Sequence, residues 1–186
     1  MLGYSSAGQT GLILAVIGIG ASGALPQGSA RMVTAALFFN HFLAKAGLYW
    51  LAGHTGSSRV GRKGSMSGRP LLILLAGIFV VSIVGLPPFA GFWAKWELIL
   101  ALAGKGSWIL ISALLTGSLL EAAYLLRWFG NAVSMPLEES SGDGNATSRA
   151  TAASIAPPSI FAALAIAFGY LLSNRVMPDA GLFWAV

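Results

Sequence analysis

The chain has 186 residues, of which 56% are hydrophobic and only 9% are charged, and it contains no cysteine. Soluble domains usually carry about a quarter charged residues, so this composition predicts an integral membrane protein. The absence of cysteine excludes disulfides, thiolate metal sites and cysteine-bound iron–sulfur clusters in this chain, and the net charge of +5 is more typical of orienting membrane loops than of nucleic-acid binding.

Long and mostly uninterrupted apolar runs predict an all-α bundle in which the whole chain, 1–186, forms a single membrane domain. At about 20 residues for each crossing, the length allows about five or six transmembrane helices. The polar stretch 131–154 is predicted to be a loop, and Pro157-Pro158 is tolerable at a helix start. We place the spans at about 8–25, 32–52, 71–103, 108–129 and 157–172.

A basic loop follows the second predicted span and contains Arg59, Arg62, Lys63 and Arg69. Positively charged loops stay in the cytoplasm, so this loop predicts a cytoplasmic N-terminus. With five crossings the C-terminus lies outside and the loop 131–154 lies inside. With six crossings that loop lies outside, and charge bias alone leaves both counts open.

The third apolar stretch, 71–103, is too long for one straight span and is interrupted near 85–91. Gly85, Pro87, Pro88 and Gly91 form the interruption, and prolines remove helix hydrogen bonds. Backbone groups freed inside a membrane must be satisfied by protein or water. The stretch is either two helices or one crossing made of two half-helices, and we favour one discontinuous crossing whose break gives flexibility and water access.

Lys95 lies just beyond this break and is the first candidate for ion transfer. A charge at membrane depth costs a few kcal/mol, so it usually faces a polar path or a partner. The alternative is a lysine that extends to the headgroups from a helix end. Because the residues before Gly104 are apolar apart from Glu97, we favour a protonatable site inside the membrane.

His41 and Lys45 are four residues apart in the second span, which places both on one helix face with Thr34. A histidine alone is more often a satisfied core residue. Next to a lysine in an apolar helix, it is better interpreted as part of a proton relay that water connects.

Glu121 lies inside the fourth span, with Ser118 and Tyr124 three residues away on either side. A buried carboxylate needs a proton or a cationic partner. Two interpretations remain open from the residues alone. Glu121 either forms a structural ion pair with a cation on another helix or serves as an exit or coupling carboxylate.

Four sequence blocks support a resemblance to a known family, and they occur at 2–11, 41–45, 85–95 and 124–127. In their order and spacing the chain resembles the antiporter-like subunits of respiratory complex I, of Mrp antiporters and of membrane-bound hydrogenases. The Pro-Pro-Phe-Ala-Gly-Phe sequence with its lysine is quite specific, whereas the other blocks are individually weak.

The resemblance implies a fold of two inverted five-helix repeats, each with a broken helix. His41 and Lys45 match the family's polar central axis, and Lys95 matches the broken-helix lysine of the distal half-channel. Glu121 does not match a family signature. Family members are more than twice as long, so we expect either that another polypeptide supplies the first repeat or that the chain is a reduced remnant.

We therefore expect a proton-translocating subunit, or a sodium-translocating one, of a complex I-related respiratory or hydrogenase-type assembly that couples redox energy to ion pumping. It is expected to be non-catalytic, to bind no redox cofactor or metal, and to lie in a prokaryotic cytoplasmic membrane with other membrane subunits. Another membrane chain is expected to cover the helix faces that bear Lys45 and Glu121. The alternative is a non-conducting subunit that seals or scaffolds such a complex.

Overall fold

The computed structural model describes residues 2–54, 66, 69–134 and 152–176, and every regular element in these ranges is an α-helix. The all-α class is therefore confirmed for the described part of the chain. The helices are α1 (Leu2–Ala21), α2 (Gln27–His54), α3 (Pro70–Val84), α4 (Ala90–Ala103), α5 (Trp108–Val133) and α6 (Ala152–Val176).

Helix α2 lies at the centre of the bundle and packs against α1, α3, α4 and α6. One apolar cluster surrounds Phe79 and joins α2 and α3 to α5 and α6, while a second surrounds Trp93 and joins α1, α2 and α4. The ring of Phe79 occupies the space that a side chain at Gly47 would need. The central helix is thus the one that carries His41 and Lys45.

The interruption at 85–89 separates two short helices, α3 with 15 residues and α4 with 14. Gly85 ends α3 in the left-handed conformation (φ +79°), and its N–H donates to the carbonyls of Val81 and Ser82 at 3.1 and 3.2 Å. The Pro87–Pro88 peptide is cis, and Phe89 is extended before α4 begins. Gly91, which we placed in the break, instead lies in the first turn of α4, because the helical conformation resumes at Ala90.

The two short helices do not form a packed hairpin. They contact each other little, and both pack against α2, α5 and α6. At 1.5 Å per residue α3 is about 22 Å long and α4 about 21 Å long. Each is shorter than the hydrocarbon core of a bilayer, which is about 30 Å thick.

Several boundaries differ from the predicted ones. Helix α1 ends at Ala21 rather than near Leu25, because Gly23 (φ +73°) belongs to a turn within an apolar stretch. Helix α6 begins at Ala152, upstream of Pro157-Pro158. Prolines near the N-terminal end of a helix leave only the carbonyls of its first residues without a partner, so the helix extends past them.

The predicted loop 131–154 is correspondingly shorter at both ends. Residues 131–133 continue α5 and residues 152–154 begin α6, while 135–151 lie outside the described residues. Of the basic loop, Arg59, Arg62 and Lys63 also lie outside the described residues.

Among the described helices, Trp108–Val133 and Ile155–Val176 are each long and apolar enough to cross a bilayer. Ser5–Ala21 and Pro70–Val84 are apolar but shorter. Helix α2 is long, but Arg31, His41 and Lys45 reduce its hydropathy.

Candidate ion-translocation site

The side chain of Lys95 points back from α4 onto the helix break. Its Nζ donates a hydrogen bond to the carbonyl of Val84, the last residue of α3, at 3.2 Å, and the residue is only 8% exposed. Carbonyl groups at a helix C-terminus lack intrahelical donors and carry partial negative charge, so they favour a cation. Lys95 therefore lies within the bundle and does not extend along α4 towards a membrane surface.

Two glycines leave room for this contact. A Cβ atom at Gly85 would lie 3.3 Å from Nζ of Lys95 and 3.4 Å from the carbonyl carbon of Gly91. A side chain at either glycine would therefore crowd the space between the end of α3 and the start of α4. Gly85 and Gly91, which the sequence analysis assigned to the helix interruption, thus allow α3, α4 and Lys95 to approach one another closely.

Glu121, at the middle of α5, is the nearby carboxylate. Its Oε2 lies 3.9 Å from Nζ of Lys95, and its side chain is 12% exposed. Helix α1 supplies two donors, since Gln9 Nε2 donates to Oε2 at 2.7 Å and Ser5 Oγ donates to Oε1 at 3.0 Å. The carboxylate thus has both a cationic partner and hydrogen-bond donors, as burial of a charge requires.

Lys45 on α2 also belongs to this group of charges. It is 6% exposed, and its charge interacts with that of Glu121. Three helices, α2, α4 and α5, therefore carry two lysines and one carboxylate whose charges interact inside the bundle, and α1 adds the hydrogen-bond donors. With both lysines protonated and the carboxylate ionised, the cluster carries one net positive charge, and loss of one proton makes it neutral.

His41 lies one turn before Lys45 on the same face of α2 and is partly buried. It lines a cavity of about 400 Å³ with Ser6, Thr10, Lys45 and Tyr49. Its Nδ1 atom is buried and has no hydrogen-bond partner among the described residues. Thr34, which we placed on the same stripe, lines a neighbouring cavity instead.

A third cavity, of about 380 Å³, lies between α1, α4 and α5. At one end it reaches Lys95, Glu121 and Gln9, and at the other it reaches Ile19 and Leu102, near the ends of their helices. Its walls are mainly aliphatic. This cavity connects the charged cluster with one end of the bundle.

Comparison with known proteins identifies the family. Residues 1–121 match the family described as "NADH:quinone oxidoreductase/Mrp antiporter, TM". The chain belongs to this family. The matched region includes α1 to α4 and extends to Glu121, so it contains every charged residue of the cluster.

The relatives include NADH-quinone oxidoreductase subunit N of Desulforudis audaxviator, which is 35% identical over 139 residues, covering 71% of this chain and 26% of that protein. The same subunit of Desulfovibrio desulfuricans is 28% identical over 198 residues, covering 99% of this chain and 37% of that protein. The Na(+)/H(+) antiporter subunit A1 of Staphylococcus aureus is 34% identical over 107 residues, 51% of this chain and 13% of that protein.

The predicted resemblance is thus confirmed, and the chain is a membrane subunit of the antiporter-like complex I superfamily. It spans about a quarter to a third of the length of the NADH-quinone oxidoreductase relatives described above.

Sequence reasoning missed several residues that build the site in this antiporter-family chain. Asn40 and Ser82 hydrogen-bond to each other beside the break, and Gln9 and Ser5 hold the carboxylate. Ser82 is an isolated polar residue within an apolar run, and Asn40 is a second polar residue directly before His41, which was a usable signal. Gly169 of α6 approaches the backbone of Pro88 and Phe89 closely, and nothing in the sequence marks it.

The chain itself covers more of the cluster than we expected. Lys45 and the Glu121 side chain are buried by other helices of the same chain, because α1 packs beside both α2 and α5. These two side chains are therefore buried within this chain, while the expectation that another membrane chain covers the helix faces that bear them stays a prediction. The aromatic face of α2 differs, since Phe38 and Phe42 are stacked on each other and are about half exposed.

Proposed function

We propose that this chain is an ion-translocating subunit of a complex I-related or Mrp-related membrane assembly. Lys95 takes up and releases a proton, Glu121 is its counter-charge, and Lys45 and His41 relay the proton along the bundle. The observation that supports this role best is the position of Lys95 between the Val84 carbonyl and the Glu121 carboxylate. A cation at that position joins the helix break to the other charges.

The chemistry follows from the shared carboxylate. When Lys95 is protonated, the negative charge of Glu121 interacts with two ammonium groups, those of Lys95 and Lys45. When Lys95 loses its proton, Lys45 becomes the only cation of the cluster that interacts with Glu121, and the Glu121–Lys45 attraction becomes stronger. Proton occupancy of the two lysines is thereby coupled, and a proton can pass between them through the carboxylate or adjacent water.

Access to Lys95 is provided by the cavity between α1, α4 and α5. By the positive-inside rule, the loop between α2 and α3 is cytoplasmic, which places the C-terminal end of α4 at the outer surface. The cavity therefore connects Lys95 with the outside. The route from Lys45 to His41 leads instead to the cavity between α1 and α2.

In the membrane we propose five crossings, with α3 and α4 together forming one. Their combined length of about 43 Å matches a bilayer with its headgroup regions, which is about 40–45 Å thick, whereas neither helix alone crosses the core. The break then lies at mid-depth, beside Asn40 near the middle of α2. We place this crossing in a prokaryotic cytoplasmic membrane. Other membrane subunits complete the ion path, and one of them supplies helices that correspond to the rest of the longer relatives.

The second candidate is a subunit that seals or scaffolds the assembly without conducting. The aliphatic walls of the cavity favour it, because Leu98, Leu102 and Leu114 offer no hydrogen bonds to water. The two candidates differ in whether water reaches the cavity. Conduction needs a wet cavity, whereas a sealing subunit needs a dry one.

Because the chain contains no cysteine, the reactivity of a single introduced thiol measures whether water reaches the cavity. Ser118 lines the cavity, whereas its neighbour Leu119 is 71% exposed on the outer face of α5. In sealed vesicles, the Ser118→Cys thiol is expected to react with a small charged methanethiosulfonate added from the outer side. The Leu119→Cys thiol is expected not to react, because the charged reagent does not enter lipid. Equal protection of both thiols would favour the sealing subunit.

A further inference from the structure

Asn40, in the middle of α2, makes a pair of hydrogen bonds to the last turn of α3. Its Nδ2 donates to the carbonyl oxygen of Ser82 at 2.8 Å, and its Oδ1 accepts from Ser82 Oγ at 3.0 Å. Asn40 is 5% exposed and Ser82 is fully buried. A buried amide with both ends bonded has one orientation, so it holds the backbone of Ser82 at a defined distance from α2.

The same amide packs against the other side of the break. A Cβ atom at Gly91 would lie 2.8 Å from Nδ2 of Asn40, which is closer than real side-chain contacts. Gly91 belongs to the first turn of α4, so Asn40 touches both half-helices at once. The glycine is required here because any side chain would displace the amide or the helix.

We infer that Asn40 is the residue that positions the helix break for Lys95. Ser82 is two residues before Val84, whose carbonyl accepts the hydrogen bond from Lys95, and Gly91 is one helical turn before Lys95. By holding Ser82 and packing on Gly91, Asn40 sets the distance between acceptor and ammonium without a charge of its own. This inference rests on the proposed role of Lys95 in ion transfer.

The consequence is local. Without the amide, the last turn of α3 loses both hydrogen bonds to Asn40, and the first turn of α4 loses its contact with that side chain. The break then opens more often, and water reaches the buried residues beside Lys95. Ala94 is the natural reporter position, since it precedes Lys95 and is fully buried.

The test measures alkylation of an Ala94→Cys thiol by N-ethylmaleimide in the assembled complex. Asn40→Leu keeps a similar volume but removes both hydrogen bonds, and it is expected to raise the labelling rate about tenfold. Ser82→Ala removes only one bond and is expected to raise it about threefold. Ser159→Ala, whose hydroxyl bonds within α6, is the matched control and leaves the rate unchanged.

A second reporter separates positioning from general loss of stability. Ala132 is also fully buried but lies near the end of α5, in the other apolar cluster. Asn40→Leu is expected to leave labelling of an Ala132→Cys thiol unchanged. An equal rise at both reporters, or no rise at Ala94→Cys, would overturn the inference. Should Asn40→Leu not assemble, Asn40→Ser gives the same comparison.

The labelling rate of the Ala94→Cys thiol does not depend on ion transport, so it tests the role of Asn40 even if the proposed function is wrong. Transport by the Asn40→Leu complex is measured alongside and is expected to fall about tenfold. A labelling rise with unchanged transport would show that Asn40 holds the break but that the break does not limit ion transfer. That outcome contradicts the positioning of Lys95 for transport.

Discussion

The carboxylate of Glu121 and the ammonium of Lys95 face each other between α5 and α4, with 3.9 Å between the two atoms. The resemblance to the antiporter family singles out Lys95 but not Glu121. The structure nevertheless gives Glu121 two hydrogen bonds from α1, the ammonium of Lys95 nearby and a charge interaction with Lys45. The carboxylate is therefore central to the proposed relay.

Glu121→Gln is expected to lower ion transport at least about tenfold, because it keeps the shape of the side chain but removes the charge that both lysines share. Transport is measured as ion uptake by sealed vesicles that contain the assembled complex. Glu97→Gln is the matched control, since Glu97 lies on α4 but is absent from the cavity that Lys95 and Glu121 line. Equal transport by the two variants would contradict a role for Glu121.

Gly85→Ala is expected to reduce both stability and transport. A left-handed alanine costs roughly 1–2 kcal/mol, and its Cβ would lie 3.3 Å from Nζ of Lys95. Gly106→Ala is a close control, because Gly106 is also left-handed (φ +66°) but has open space around its Cβ position. The temperature at which the protein unfolds in detergent is expected to be similar for both variants, whereas ion transport in sealed vesicles is expected to be lost only in Gly85→Ala. If both transport equally, crowding at Lys95 has no functional effect.

Gly169→Ala is expected to destabilise the protein by about 1–3 kcal/mol, because its Cβ would meet the backbone of Pro88 and would lie 2.8 Å from Cα of Phe89. Backbone atoms cannot move aside as a flexible side chain can. Gly130→Ala is the control, since its Cβ position is open and alanine favours a helix. In mixed micelles, the denaturant concentration at the midpoint of unfolding is expected to be lower for Gly169→Ala alone. A midpoint equal to that of Gly130→Ala would contradict the close approach of α6 to the break.

Much of this arrangement could be predicted from sequence, and the reasons differ by residue. Pro87, Pro88 and Gly85 mark the break because their backbone restrictions are local. The partners of Lys95 could not be predicted, because Glu121 is far along the chain and helix spacing says nothing about which helices meet. The end of α1 was misplaced because Ala24 and Leu25 follow the Ser22-Gly23 turn and extend the apolar run to Pro26.

The exposed aromatic face of α2 carries a prediction about partners. Phe42 is 57% exposed and lines the cavity that contains His41. We expect another membrane chain to cover this face in the assembly, so Phe42 should be protected from a lipid-soluble photoactivated carbene, which inserts into C–H bonds and needs no thiolate. Leu119 on α5, which is 71% exposed, should be labelled. Equal labelling of both residues in the intact complex would mean that lipid covers the α2 face.

The central claim is that Lys95 transfers the ion, and the Lys95→Ala variant tests it most directly. Assembly is measured by the amount of complex in the membrane, and transport by ion uptake into sealed vesicles. Lys105→Ala, in the exposed turn between α4 and α5, is the control. We predict normal assembly for both variants and loss of transport for Lys95→Ala alone. Near-normal transport by a correctly assembled Lys95→Ala complex would contradict the proposed mechanism.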